Sequence, residues 1–92
     1  MNAAFVSLRL KRFYENGEVR GIGATMRARV TEILSVLEAA ETIEEADIPG
    51  YRLHQLSGNR QGYWSMRVTG NWRITFRFAD GYAEDVNLED YH

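Results

Sequence analysis

Gly62-Tyr63-Trp64-Ser65-Met66-Arg67-Val68-Thr69-Gly70-Asn71-Trp72-Arg73-Ile74-Thr75-Phe76-Arg77-Phe78 decides the fold. Trp64, Met66 and Val68 alternate with polar residues, and Trp72, Ile74, Phe76 and Phe78 do so again beyond a Gly-Asn break. Period-two alternation predicts two β-strands of a sheet with one face buried and the other wet. The wet face would carry Tyr63, Ser65, Arg67, Thr69, Arg73, Thr75 and Arg77, three cations among them and no carboxylate. That face is where function is expected.

The turn sets which residues meet. A two-residue Gly70-Asn71 loop would oppose Val68 to Arg73 and mix the faces. A loop of Thr69, Gly70 and Asn71 opposes Val68 to Trp72 and Arg67 to Arg73, with Asn71 in the left-handed region it tolerates. The second register is expected. Two guanidinium groups roughly 5 Å apart repel by about 1 kcal/mol in water, and by more where solvent is thinned. Either an anion sits between them, or the side chains splay into solvent or pair with acids from elsewhere.

Working outward, 92 residues make one domain, 1–92, which buries roughly two-thirds of its unfolded surface. A composition 45% hydrophobic and 26% charged is that of an ordinary globular protein. The chain has no cysteine and only two histidines, which leaves no disulfide or thiolate site and little for zinc. This fits a reducing cytosol. There is no signal-length apolar core and no run near the roughly 18 residues of a membrane span, so a soluble, cytoplasmic protein without a membrane partner is expected.

The net charge of −2 argues against a generic nucleic-acid binder, but the charges are segregated. Residues 31–50 hold six acids and no base, residues 51–79 five arginines and no acid, and residues 80–92 five acids and neither Arg nor Lys. Ten of the eleven basic residues are Arg, which favours forked contacts to phosphate. The block Glu38 to Asp47 reads as a solvated or partner-facing surface.

In chain order, Ala4 to Leu10 alternates as a strand, and Lys11 to Glu15 supplies a helical turn before Asn16-Gly17. Met26, Val30, Ile33, Leu34 and Leu37 repeat at helical spacing from Ala24 to about Ala40, and this stripe must cover the Trp-rich sheet face. Thr42-Ile43-Glu44-Glu45 matches a capping box. Tyr51 to Leu56 reads as a strand. A three-residue loop Ala79-Asp80-Gly81 would align Ile74 with Val86 and Trp72 with Leu88, placing Asn87 beside Arg73 and Asp85 beside Thr75. The predicted fold is α+β: a strand, one or two helices, then a mainly antiparallel sheet. The terminal Asp90-Tyr91-His92 either folds back toward Arg73 and Arg67 or frays.

The blocks Asp47-Ile48-Pro49-Gly50-Tyr51-Arg52-Leu53-His54, Gly62-Tyr63-Trp64-Ser65, Asn71-Trp72-Arg73-Ile74-Thr75-Phe76 and Glu89-Asp90-Tyr91-His92 together resemble the HigB branch of the RelE/ParE toxins of bacterial toxin–antitoxin systems. The resemblance implies a compact microbial-ribonuclease-like α/β domain. It also implies a helix-turn-helix antitoxin partner of HigA type, and metal-independent cleavage of mRNA in the ribosomal A site without a cofactor. By the same resemblance Arg73 holds the scissile phosphate, His92 transfers a proton, Asp90 and Tyr91 position it or the RNA, and His54 lies near the site. The sequence departs from the family at Ser57. There the family commonly has Lys in a Lys-Gly-Asp-Arg pattern and this chain reads Ser57-Gly58-Asn59-Arg60, with Arg60 or Arg67 expected to supply part of the missing charge.

In the implied reaction an RNA 2′-hydroxyl, deprotonated by His92 or Asp90, attacks the adjacent phosphorus, giving a 2′,3′-cyclic phosphate and a 5′-hydroxyl. Such proton transfer contributes roughly 10²- to 10⁴-fold, and Arg73 neutralises charge on the equatorial oxygens. The alternative on the same scaffold is a non-catalytic binder: a ParE-like toxin acting on gyrase, or an antitoxin-binding regulator.

Overall fold

A computed structural model of the chain describes residues 3–90. It contains strand β1 (Ala3–Phe5), helix α1 (Leu8–Asn16), helix α2 (Arg27–Ala39) and strands β2 (His54–Gln55), β3 (Trp64–Thr69), β4 (Trp72–Ala79) and β5 (Tyr82–Asp90). Short 3₁₀ turns cover Ala24–Met26, Ile43–Ala46 and Gly58–Arg60. The five strands form one sheet in the order β1-β5-β4-β3-β2. Among the described residues only the β1–β5 pair is parallel, so the expected α+β class with a mainly antiparallel sheet is what the chain adopts.

The α2 stripe Val30, Ile33, Leu34 and Leu37 is buried with Met66, Ile74, Phe76, Val86 and Leu88 of the sheet. This is the predicted helix-on-sheet core. Leu10 of α1 joins it, while Leu8 stays exposed.

The N-terminal reading needs correction. The strand expected to reach Leu10 ends at Phe5, and the expected single turn is a nine-residue helix. Ser7 causes the switch by capping the helix, its side chain accepting the Leu10 N–H at 3.3 Å. Gly17, at φ 73°, closes the other end, with its own N–H and that of Glu18 donating to Phe13 O and Arg12 O. The spacing of Leu10, Phe13 and Tyr14 was helical throughout; four residues of apparent alternation masked it. The capping box expected at Thr42 does not form. The Thr42 hydroxyl makes no cap bond, and the Glu45 carboxylate accepts the Glu41 N–H at 2.7 Å.

Both hairpins differ in their turns. The β3–β4 loop is the two-residue Gly70-Asn71, with Gly70 rather than Asn71 at positive φ. Thr69 pairs with Trp72, and an irregularity between Arg67 and Thr69 then restores Arg67 opposite Arg73. The expected pairing of the arginines holds, and that of Val68 with Trp72 does not. Between β4 and β5 the turn is Asp80-Gly81, both at positive φ, the mirror-image geometry that matches strand twist. A second irregularity falls at Asp85, itself at φ 53°. Together they slide β5 along β4, so that Ile74 pairs with Leu88, Thr75 with Asn87 and Arg73 with Glu89. The expected neighbours, Asn87 beside Arg73 and Asp85 beside Thr75, are thereby overturned.

The expected strand Tyr51 to Leu56 survives only as β2, because Arg52 at φ 55° breaks it. Its ends still bond β3 and the residue before it, with Arg67 N–H donating to Tyr51 O at 2.7 Å and Leu56 N–H to Tyr63 O at 2.8 Å.

Candidate functional site

Register partners in an antiparallel sheet share a face, so the pairings lay out the face turned away from the helices row by row. One row is Arg67, Arg73 and Glu89, and the next is His54, Ser65, Thr75 and Asn87. Tyr63 and Arg77 extend the same face along β3 and β4. Sequence reasoning placed the β3 and β4 residues there, but took the face to be wet, and the acid it expected β5 to bring was Asp85 beside Thr75. In fact Ser65 and Thr75 are 0% and 1% exposed, and β5 brings Glu89 into register with Arg73 while Asp85 meets Tyr63. The acids came from a strand whose register the sequence did not give.

Arg67 and Arg73 stand opposite one another, both half-buried. Arg29 from α2 reaches the back of this pair, donating from Nη1 to Arg67 O at 3.4 Å, with its guanidinium 4.4 Å from the centre of the Tyr51 ring. The floor is thus tied to the helix layer. His54 is exposed at the β2 edge, its Nδ1 2.9 Å from Arg52 O. A carbonyl can only accept, so Nδ1 carries the proton in that contact and the neutral ring keeps its Nε2 lone pair for a base or acceptor role. The left-handed Arg52 backbone lies within this contact.

Arg60 grips Glu89 with both ends of its fork, at 2.7 Å and 3.2 Å, and the Thr75 hydroxyl donates to the same carboxylate. The Arg60 bond is the main cause of a Glu89 carboxyl held below its ordinary value, with the Thr75 bond adding to it and burial opposing. Glu89 therefore stays ionised. Ser65 Oγ lies buried beside this network without a hydrogen-bond partner among the described residues.

Of the predicted site residues, Arg73, Arg67, Arg60 and His54 fall on this one face. Asp90 is exposed at the last residue of β5, in register with Trp72 and so one step off the face that holds Arg73 and Glu89. Ser57 is exposed ahead of the Gly58–Arg60 turn and borders a different hollow, with Gln55 and Gln61. Tyr91 and His92 lie outside the described residues. Sequence reasoning missed Glu89 as a site residue; its signal, an acid within the terminal block, became readable only once the slide of β5 set it beside Arg73.

A family model described as RelE-like toxin of type II toxin-antitoxin system HigB matches residues 3–92. The chain is 43% identical over 83 residues to Endoribonuclease HigB of Proteus vulgaris, covering 90% of each protein. It is 32% identical over 84 residues to Toxin HigB-1 of Vibrio cholerae, covering 89% of this chain and 88% of that one. Among solved structures it resembles the YoeB-YefM complex from Staphylococcus aureus at a TM-score of 0.67 and 20% identity, covering 100% of this chain and 97% of that one. The Staphylococcus aureus YoeB dimer gives 0.62 and 21%, with the same coverage. The fold is shared with those structures, and by sequence the chain belongs to the RelE-like HigB toxins of type II toxin–antitoxin systems.

Proposed function

We propose that this chain is the endoribonuclease toxin of a type II toxin–antitoxin pair, cleaving ribosome-bound mRNA by 2′-hydroxyl attack. The observation that carries the reading is the half-buried Arg67–Arg73 pair on the helix-free face, within a chain that matches the HigB family over nearly its whole length. The name Endoribonuclease HigB, borne by a relative 43% identical, supports the RNA chemistry.

In this mechanism Arg73 and Arg67 straddle the scissile phosphate and neutralise charge as it builds on the equatorial oxygens. A base takes the 2′-hydroxyl proton, the oxygen attacks phosphorus, and the 5′-oxygen leaves with a proton from an acid. The products are a 2′,3′-cyclic phosphate and a 5′-hydroxyl. His92 and Asp90 share the proton transfers, Tyr91 positions the RNA, and His54 offers Nε2 at the edge of the same face. Few strong groups suffice because the ribosome holds the substrate, which also reconciles a net charge of −2 with RNA as target. The partner is a helix-turn-helix antitoxin of HigA type, in the cytoplasm.

Mapping mRNA ends after brief expression tests the reading. Cleavage within codons should vanish with Arg73→Ala or deletion of His92, and rise with Ser57→Lys if the missing cation limits the rate. Intact mRNA accompanied by gyrase-linked DNA breaks would overturn it.

A further inference from the structure

A hollow of about 350 Å³ opens on the helix-free face beyond the Arg67–Arg73 row, at the small end of the roughly 300–1,000 Å³ of ligand sites. Asn59, Arg60, Tyr63, Asp85, Asn87 and Glu89 wall it. Its parts are held in place. The Tyr63 hydroxyl donates to Asp85 Oδ2 at 3.1 Å, and the Arg60 and Arg77 guanidinium carbons lie 5.2 Å and 5.7 Å from the Tyr63 ring centre. Asp85 is one of three non-glycine residues at positive φ among those described, and it sits at the irregularity in β5. A bulge of this kind costs backbone energy and re-aims a side chain, and here the side chain meets Tyr63 at the hollow.

This combination suits a nucleobase. Aromatic rings and guanidinium planes are the usual stacking surfaces for an unpaired base, and the hollow offers both in Tyr63 and Arg60. Asp85 keeps Oδ1 without a donor among the described residues, so it can accept from an amino group. Asn87 spends Oδ1 on the Leu88 N–H at 2.9 Å, which leaves its amide nitrogen as a donor. Tyr63 is four residues from Arg67, about 13 Å along an extended strand, so the hollow faces a neighbouring nucleotide and not the scissile phosphate itself.

We propose that this hollow is a base-reading subsite, which stacks a nucleotide flanking the cleaved bond on Tyr63 and selects, through Asp85, a base with an exocyclic amino group over uracil. The proposal rests on the reading of the protein as an RNA-directed toxin, and two measurements separate the fates of the two. In the first, the full chain is titrated with 5′-AMP, 5′-CMP, 5′-GMP and 5′-UMP while the Tyr63 ring and Asn87 side-chain amide resonances are followed by NMR. The three amino-bearing nucleotides should shift both signals and bind several-fold tighter than 5′-UMP. Asp85→Asn should remove the difference between bases, and Tyr63→Leu should weaken all four on the order of tenfold.

In the second, mRNA ends are mapped for the native chain and Asp85→Asn. The base preference at one position flanking the cut should flatten in the variant, while the cut stays dependent on Arg73. Shifts confined to Arg67 and Arg73, or an unaltered flanking preference in Asp85→Asn, would overturn the subsite and leave the nuclease reading standing. Base-selective shifts at Tyr63 without any mRNA cleavage would uphold the subsite and remove the nuclease reading.

Discussion

Glu89 shows how one residue reshapes the site. Its carboxylate takes both ends of the Arg60 fork and the Thr75 hydroxyl while standing in register with Arg73, so the place beside Arg73 expected for Asn87 holds a fixed negative charge at the centre of the face. Because the folded carboxyl lies below the ordinary value of 4.5, the stabilisation it provides is fully present above that value and is lost as pH falls through the folded pKa. Glu89→Gln cannot titrate. The native chain should therefore exceed the variant in stability at neutral pH by up to about 1 kcal/mol, solvent screening of this partly exposed pair being allowed for, and the gap should close below pH 4.5. Thermal unfolding of both chains between neutral and acid pH checks this; a gap constant with pH would contradict it.

At the scale of elements, the ends decide. Alternation at Ala4 to Leu10 suggested a strand, yet Ser7 caps a helix whose Gly17 terminus was already visible as Asn16-Gly17. A nine-residue helix is shorter than the roughly 12–15 residues needed for stability in isolation, so α1 depends on its caps and on Leu10 in the core. Ser7→Ala should cost about 1 kcal/mol, read as a fall in Tm of about 4–8 °C with faster hydrogen exchange at Leu10. The strands behave alike. Trp64 to Phe78 was legible as a hairpin because its alternation spans both strands. The turns were not, since two-residue loops with compensating bulges leave the same alternation as the three-residue loops expected.

For the molecule as a whole, one buried layer lies between the α2 stripe and the sheet, and it leaves the opposite sheet face to the site. Phe76 is fully buried on the central strand β4, which pairs on both sides, so Phe76→Ala should destabilise the chain by about 3–5 kcal/mol. A Tm lowered by about 15 °C or more in calorimetry is the expected reading. The sequence alone determined the helix-on-sheet architecture, the β3–β4 hairpin and the family, because hydrophobic period and local motifs are properties of the chain itself, whereas Arg67 meets Arg73 only because an irregularity in β3 offsets the shorter turn. Tertiary structure alone decided that Ser65 and Thr75 are buried, that Glu89 and not Asn87 stands beside Arg73, and that Tyr63 borders a hollow. These depend on where β5 slides along β4. That slide is set by a mirror-image turn and one strained residue within the β4–β5 hairpin, backbone angles that the alternation of side chains does not encode.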